Sequence, residues 1–201
     1  MNPFNINSLT DEEIDDIEDS FDKLSRNQGG GKSTHKGPKT AKRIREIQRE
    51  NAEKSRLTEV ENNLKKELQH FPFNEFNEET VENYSDWVCK SLNDNYPYFT
   101  DLDGDIKYTQ SRSSGPGGQN VNKTSTAVMA KHMLTGIFSR SEDSREAVSN
   151  KRDVLAKLLV KLEGHIKNWN IYLKNISTDS RQEEITSFME NLYNEKVKKS
   201  D

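Results

Sequence analysis

Apolar positions along the chain fall into short stripes separated by long polar runs. Over 9–25, Ile14, Ile17, Phe21 and Leu24 recur at helical spacing behind Thr10, with Glu13 three residues further on. That pairing is a capping box, so the pattern predicts a short acidic helix. Residues 26–40, RNQGGGKSTHKGPKT, contain no apolar residue and read as a disordered linker. Over 41–70, Ile44, Ile47, Leu57, Val60, Leu64 and Leu68 are sparse on an otherwise polar helix. An FPF turn follows, then a helix at 78–95 with Val81, Tyr84, Val88 and Leu92 on one face. That helix either packs on the domain that follows or belongs to a small helical module of its own. From 105 the period changes. Strands are predicted at 105–110, 124–132 and 136–141, the last two joined by a Thr135-Gly136 turn. A helix from 145 to 167 then turns Val154, Leu155, Leu158, Leu159, Leu162 and Ile166 toward the sheet. Trp169 and Tyr172 are expected to cap that core. The last helix, 178–198, carries Ile185, Phe188, Met189 and Leu192.

The predicted class is α+β: a small sheet with a packed helix, flanked by helical and partly disordered extensions. Four segments are expected: 1–40, an acidic helix and basic linker; 41–104, a helical extension; 105–174, the compact domain; and 175–201, a final helix. Composition supports the division. Of 201 residues, 32% are charged and 30% hydrophobic, too few apolar groups to place the whole chain in a core. No apolar run approaches the length of a membrane span. The acidic start, MNPFNINSLTDEEIDD, lacks an apolar h-region and the Arg-rich character of a transit peptide. Cys89 stands alone and cannot form an internal disulfide; on the 78–95 helix it reads as a small apolar residue. A monomeric protein of the cytoplasm is the expectation.

The net charge of −4 hides a segregation. Residues 1–25 carry one basic and eight acidic side chains, whereas 26–56 carry ten basic and three acidic. Residues 57–104 are acidic again, with three basic against eleven acidic, and 105–174 hold twelve basic against six acidic. Two basic blocks in an acidic chain suit local contact with a polyanion, where bound counterions are released. Read blandly, such runs are solvated faces.

Several motifs fail on spacing. GGGKST at 29–34 would need a glycine where Arg26 stands, and no apolar strand precedes it. TDLDGDIKY at 100–108 alternates Asp101, Asp103 and Asp105 like a calcium loop, but the twelfth position is Arg112 and not glutamate. It reads as a turn leading into a strand. His35, His70, His132 and His165 are scattered without ligand spacing, so neither a metal nor another cofactor is expected.

The informative stretch is SRSSGPGGQNVNKTSTAV, 111–128. Gly115, Gly117 and Gly118 surround Pro116, so the backbone can present N–H groups unobstructed by side chains. Gln119 follows. Arg112, Ser113, Ser114, Asn120, Asn122 and Lys123 are suited to phosphate and ribose contacts. No carboxylate lies between Asp105 and Glu142, a gap of 36 residues. Such a loop is a poor self-contained acid–base site and a good probe for another molecule's anionic pocket.

RSSGPGGQNVNK resembles the catalytic domain of class I peptide release factors and related ribosome-rescue peptidyl-tRNA hydrolases. Two further segments extend the resemblance over 105–167. KHMLTGI, 131–137, is similar to the family's T-H-x-x-T-G-I turn. REAVSNKR, 145–152, is similar to its R-S-Q-H-K-N-K-R helix start, departing at Glu146, Ala147, Val148 and Ser149 while Arg145, Asn150, Lys151 and Arg152 fit. The resemblance implies hydrolysis of the ester joining a nascent peptide to the 3′ adenosine of tRNA. It assigns Gly117, Gly118 and Gln119 to catalysis: the Gln119 backbone N–H to the developing oxyanion, its side-chain amide to the water, the glycines to the shape of the loop. Arg112, Ser113, Ser114, Asn120, Asn122, Lys123, Arg145, Lys151 and Arg152 are expected on RNA. The implied partners are the ribosome and peptidyl-tRNA.

Codon-reading members carry a second domain split around the catalytic one, and only 34 residues follow position 167 here. Codon-independent rescue of stalled ribosomes is therefore favoured. Rescue hydrolases usually end in a basic tail, whereas 175–201 carries four basic and six acidic residues. The basic 26–56 segment is expected to serve as the RNA-contacting arm instead. Two other readings stand beside this one: a factor of the release factor H type, acting on damaged ribosomes, and a non-catalytic ribosome-associated protein that keeps the loop.

Overall fold

A computed structural model describes residues 9–17, 20, 38–73, 76–100, 102–111 and 126–197. The chain divides into two units, Met1–Glu59 and Val60–Asp201. In the first, the capping box forms: Glu13 N–H donates to Thr10 Oγ1 at 3.2 Å and Thr10 N–H to the Glu13 carboxylate at 2.7 Å. It starts helix α1, residues 11–17. Helix α2 runs Pro38–Glu67 and ends in a 3₁₀ turn, Leu68–His70. It begins three residues earlier than the linker reading allows. Proline's fixed φ suits the first helical position, where its missing N–H costs nothing.

In the second unit a three-stranded antiparallel sheet has the order β1 (Ile106–Ser111), β2 (Ala127–His132), β3 (Phe138–Ser141). A helical turn, α4 (Leu102–Asp105), leads into β1. Register pairs Ile106 with His132, Tyr108 with Ala130, and Val128 with Ser141. Strand alternation therefore puts Ile106, Tyr108, Val128, Ala130, His132, Ser139 and Ser141 on one face. The small residues in that set let helix α5, Ala147–Tyr172, pack closely against β2 and β3.

Val154, Leu158, Leu162, Ile166 and Trp169 form the buried stripe of α5. Each buried side chain of this size contributes about 1.5–3 kcal/mol. Helix α3 (Glu78–Asp94), N-capped by Asn77, adds Val81, Tyr84, Trp87 and Val88. Helix α6 (Arg181–Val197) adds Ile185, Phe188, Met189 and Leu192, the four positions its spacing predicts. Val60, Leu64 and Leu68 from the end of α2 join the same cluster. Thus the 78–95 helix packs on the sheet domain and is not a separate module.

The helix predicted to end at 167 continues to Tyr172, which corrects the role of Trp169. Trp169 is fully buried inside the core and does not cap it. Its indole N–H donates to Tyr84 Oη at 2.8 Å. That hydroxyl therefore spends its own proton on His165 Nε2, 2.7 Å away, and His165 Nδ1–H donates to Glu67 at 2.7 Å. Asn168 supplies the other Glu67 oxygen with a donor at 2.8 Å. This buried chain ties α2, α3 and α5 together, with every polar group satisfied. Burial holds the Tyr84 hydroxyl well above the usual phenol range, so it stays a proton donor.

The β2–β3 turn is built as its sequence predicts. His132 N–H donates to Ile137 O and Gly136 N–H to His132 O, both at 2.9 Å. Gly136 has φ +74°, and a Cβ there would lie 2.0 Å from the His70 carbonyl oxygen. Glycine is required twice over: for the left-handed backbone and for the close approach of the 3₁₀ turn. β3 accordingly starts at Phe138 and not at 136.

Candidate nucleic-acid interface

Strand pairing decides where the informative loop is delivered. Ser111 at the end of β1 stands opposite Ala127 at the start of β2. Both ends of the 112–125 segment therefore leave one end of the sheet. Gly117, Gly118, Gln119, Arg112, Ser113, Ser114, Asn120, Asn122 and Lys123 lie outside the described residues. Arg145, Lys151 and Arg152 are described, as is Asn150 between them, a position that fits the family's helix start but is not among those expected on RNA.

Asn150, in the first turn of α5, is fully buried. Its amide donates to Thr126 O at 2.7 Å and to Ser144 O at 2.8 Å, and its carbonyl accepts from Ser144 N–H at 2.9 Å. One side chain so fixes the last residue before β2 to the turn that enters α5. An uncapped buried carbonyl would cost about 1–3 kcal/mol, so these bonds hold the stem firmly. Next to it, Lys151 Nζ lies 4.3 Å from the centre of the Tyr108 ring on β1. Arg145 and Arg152 are exposed and form no ion pair with a described residue.

The same end of the sheet holds two carboxylates, a juxtaposition the carboxylate-free stretch 106–141 does not announce. Val128 pairs with Ser141, so Glu142 and Asp143 come to the loop end. Each is neutralised locally. Glu142 accepts from Arg140 at 2.9 Å, and Asp143 from Lys157 at 2.6 Å. That bond holds the Asp143 carboxyl below its usual range and raises the Lys157 ammonium. Arg140 and Lys157 are thereby committed within the protein, while Arg145, Lys151 and Arg152 face solvent at the end from which the loop departs. Such cations favour a polyanion and fix its register without reading its sequence.

At the opposite end of the sheet the chemistry is closed. His132 is buried, sharing a 3.0 Å hydrogen bond with Thr135 Oγ1, with Trp87 and Phe99 against its ring. Burial pushes its pKa down to about 4, leaving a neutral ring at ordinary pH. Five residues of strand, about 17 Å, separate it from the loop end. His132 and His165 are both buried and hydrogen-bonded within the core.

Comparison with known proteins supplies the family. Residues 101–200 match the family model described as the RF-1 domain. The chain is 52% identical over 55 residues to a peptide chain release factor homolog of Escherichia coli, covering 27% of this chain and 26% of that protein. It is 34% identical over 91 residues to peptide chain release factor 2 of Rickettsia africae, 45% of this chain and 24% of that one. A mitochondrial peptide chain release factor 1-like protein of Mus musculus is 32% identical over 90 residues, 42% and 24% of the two chains. The chain thus spans about a quarter of the length of these relatives.

Proposed function

Residues 101–200 being an RF-1 domain, which places this chain with the class I peptide chain release factors by its GGQ domain, we propose that it is a ribosome-dependent peptidyl-tRNA hydrolase. It frees nascent peptide from stalled ribosomes without reading a stop codon. The observation that carries this is the GGQ loop within the matched domain, leaving a sheet end lined by Arg145, Lys151 and Arg152. Gly117 and Gly118 let the backbone bring Gln119 to the ester; its N–H stabilises the developing oxyanion and its amide orients water. Arg112, Ser113, Ser114, Asn120, Asn122 and Lys123 hold the loop on ribosomal RNA and the tRNA acceptor end. The RNA supplies the remainder of the pocket, so the protein needs no acid–base pair of its own. Codon independence is favoured because the described flanks, 60–100 and 181–197, are spent largely on the domain's own core. The cytoplasm is the matching compartment.

The test is peptide release from purified ribosomes carrying peptidyl-tRNA on an mRNA without a stop codon. Wild type should release peptide. Gln119→Ala should slow release roughly a hundredfold while ribosome binding survives, the usual scale for losing an oxyanion-positioning group. Release by wild type only when a stop codon is present would overturn codon independence; full release by Gln119→Ala would overturn the site.

A further inference from the structure

In the Met1–Glu59 unit an acidic element is seated on a basic one. Helix α1 has the sequence DEEIDDI, five carboxylates in seven residues. It and the preceding Leu9 meet α2 at Arg45 and Gln48, in a stretch that carries Lys42, Arg43, Arg45, Arg49, Lys54 and Arg56 against Glu46, Glu50 and Glu53. Ile14 is fully buried there. Gln48 Nε2 donates to Leu9 O at 3.0 Å. Arg45 reaches across to both flanking aspartates: Nη2 stands 2.6 Å from Asp15 and Nε 3.9 Å from Asp11.

Asp11 and Asp15 are one helical turn apart, with Cβ atoms about 6 Å from each other. That is comparable to the separation of neighbouring phosphates on a nucleic acid strand. Arg45 so meets two anions at a spacing that two phosphates could also present. The contact is also weak enough to exchange. Side chains of Arg45, Asp15 and Asp11 remain 41%, 65% and 90% exposed, where ion pairs contribute little and salt screens them. Among the described residues, Ile14 is the one fully buried apolar side chain of α1.

We propose that the basic residues of α2 from Lys42 to Arg56 bind RNA phosphate and that α1 is their internal competitor, covering Arg45 until RNA displaces it. This deepens the proposed function, since it rests on reading the chain as a ribosome ligand, and it concerns binding rather than hydrolysis. An acidic mask makes off-ribosome contact with stray RNA unfavourable, while a dense phosphate surface outcompetes five carboxylates. The device sets a threshold of phosphate density for engagement.

The experiment is fluorescence anisotropy of a short fluorescein-labelled single-stranded RNA titrated with full-length chain across a salt series. Asp11→Asn with Asp15→Asn should bind roughly three- to tenfold tighter than wild type at low salt, with the advantage shrinking as salt rises. Ile14→Ser, which loosens α1 without changing charge, should move affinity the same way. Glu183→Gln with Glu190→Gln on α6 removes as much negative charge elsewhere and should bind as wild type. Equal tightening in that control, or no tightening in the α1 variants, would overturn the mask. If wild type binds RNA and only the variants fail to gain, the RNA partner stands without the mask. If wild type does not bind RNA even at low salt, the α2 surface and its mask both fall. Peptide release on ribosomes, measured separately, reports on the hydrolase reading alone.

Discussion

The two ends of the small sheet differ in kind. At the β2–β3 turn, backbone touches backbone: Gly136 sits under the His70 carbonyl, and His132 is enclosed by aromatic rings. At the loop end, side chains do the tying: Asn150 clamps Thr126, salt links occupy Glu142 and Asp143, and three cations face outward. One end tolerates no new atom; the other is held by replaceable polar contacts. The division suits the proposed function, in which the 112–125 segment meets an RNA pocket. The closed end is fixed by backbone contact, and the loop end by the side chain of Asn150.

The largest expected effect is at the closed end. Gly136→Ala adds a Cβ into backbone at a left-handed φ, and should destabilise the fold by about 3 kcal/mol or more. Urea unfolding measures it; a loss under about 1 kcal/mol would show the turn to be as yielding as the loop end.

Next in size is the pH dependence of the same region. His132 is held neutral in the fold, about 4 against an ordinary 6.5. The unfolded chain therefore binds the proton more readily. Stability linked to this ring is complete above 6.5 and declines as pH falls toward 4, by about 3 kcal/mol at most. NMR titration of the imidazole resonances provides the direct reading: a His132 midpoint near 4 is expected, and one near 6.5 would mean the closed end is open to water.

The smallest effect belongs to the open end. Asn150→Ala removes three hydrogen bonds, leaving two carbonyls and an N–H to find water, and should cost about 2 kcal/mol. Release should fall while ribosome binding is kept, because the stem loses its fixed direction. If Asn150→Ala proved as damaging to the fold as Gly136→Ala, the contrast between the ends would disappear.

How much of this is legible in the residues depends on the range of the cause. The capping box of Thr10 and Glu13, the Gly136 turn and the α6 stripe are local, and their spacing alone places them. Trp169 is misread because the stop at 167 has no breaker behind it; α5 simply runs on, and the indole follows Ile166 into the core. His165 looks isolated in the chain because its partners, Tyr84 and Glu67, are 81 and 98 residues away. The carboxylate-free stretch is real, yet antiparallel pairing returns Glu142 and Asp143 to the loop end, where tertiary ion pairs cancel them. Asn150 is visible as a family-like position, but its grip on Thr126 requires the fold. Gly117, Gly118 and Gln119, the most informative residues of the chain, are recognised by composition and resemblance rather than by any contact they make.

Both tryptophans of the chain lie in the aromatic core, each beside a histidine: Trp87 against His132 with ring centres 5.1 Å apart, Trp169 against His165 at 6.4 Å. The protein consequently carries an internal optical gauge. Both indoles are almost wholly buried, with an uncharged imidazole beside one of them, and their emission shifts to longer wavelength once unfolding admits water. Integrity of the scaffold can be followed in the intact chain at every step of a binding titration, without attaching a dye to the surface proposed to bind RNA.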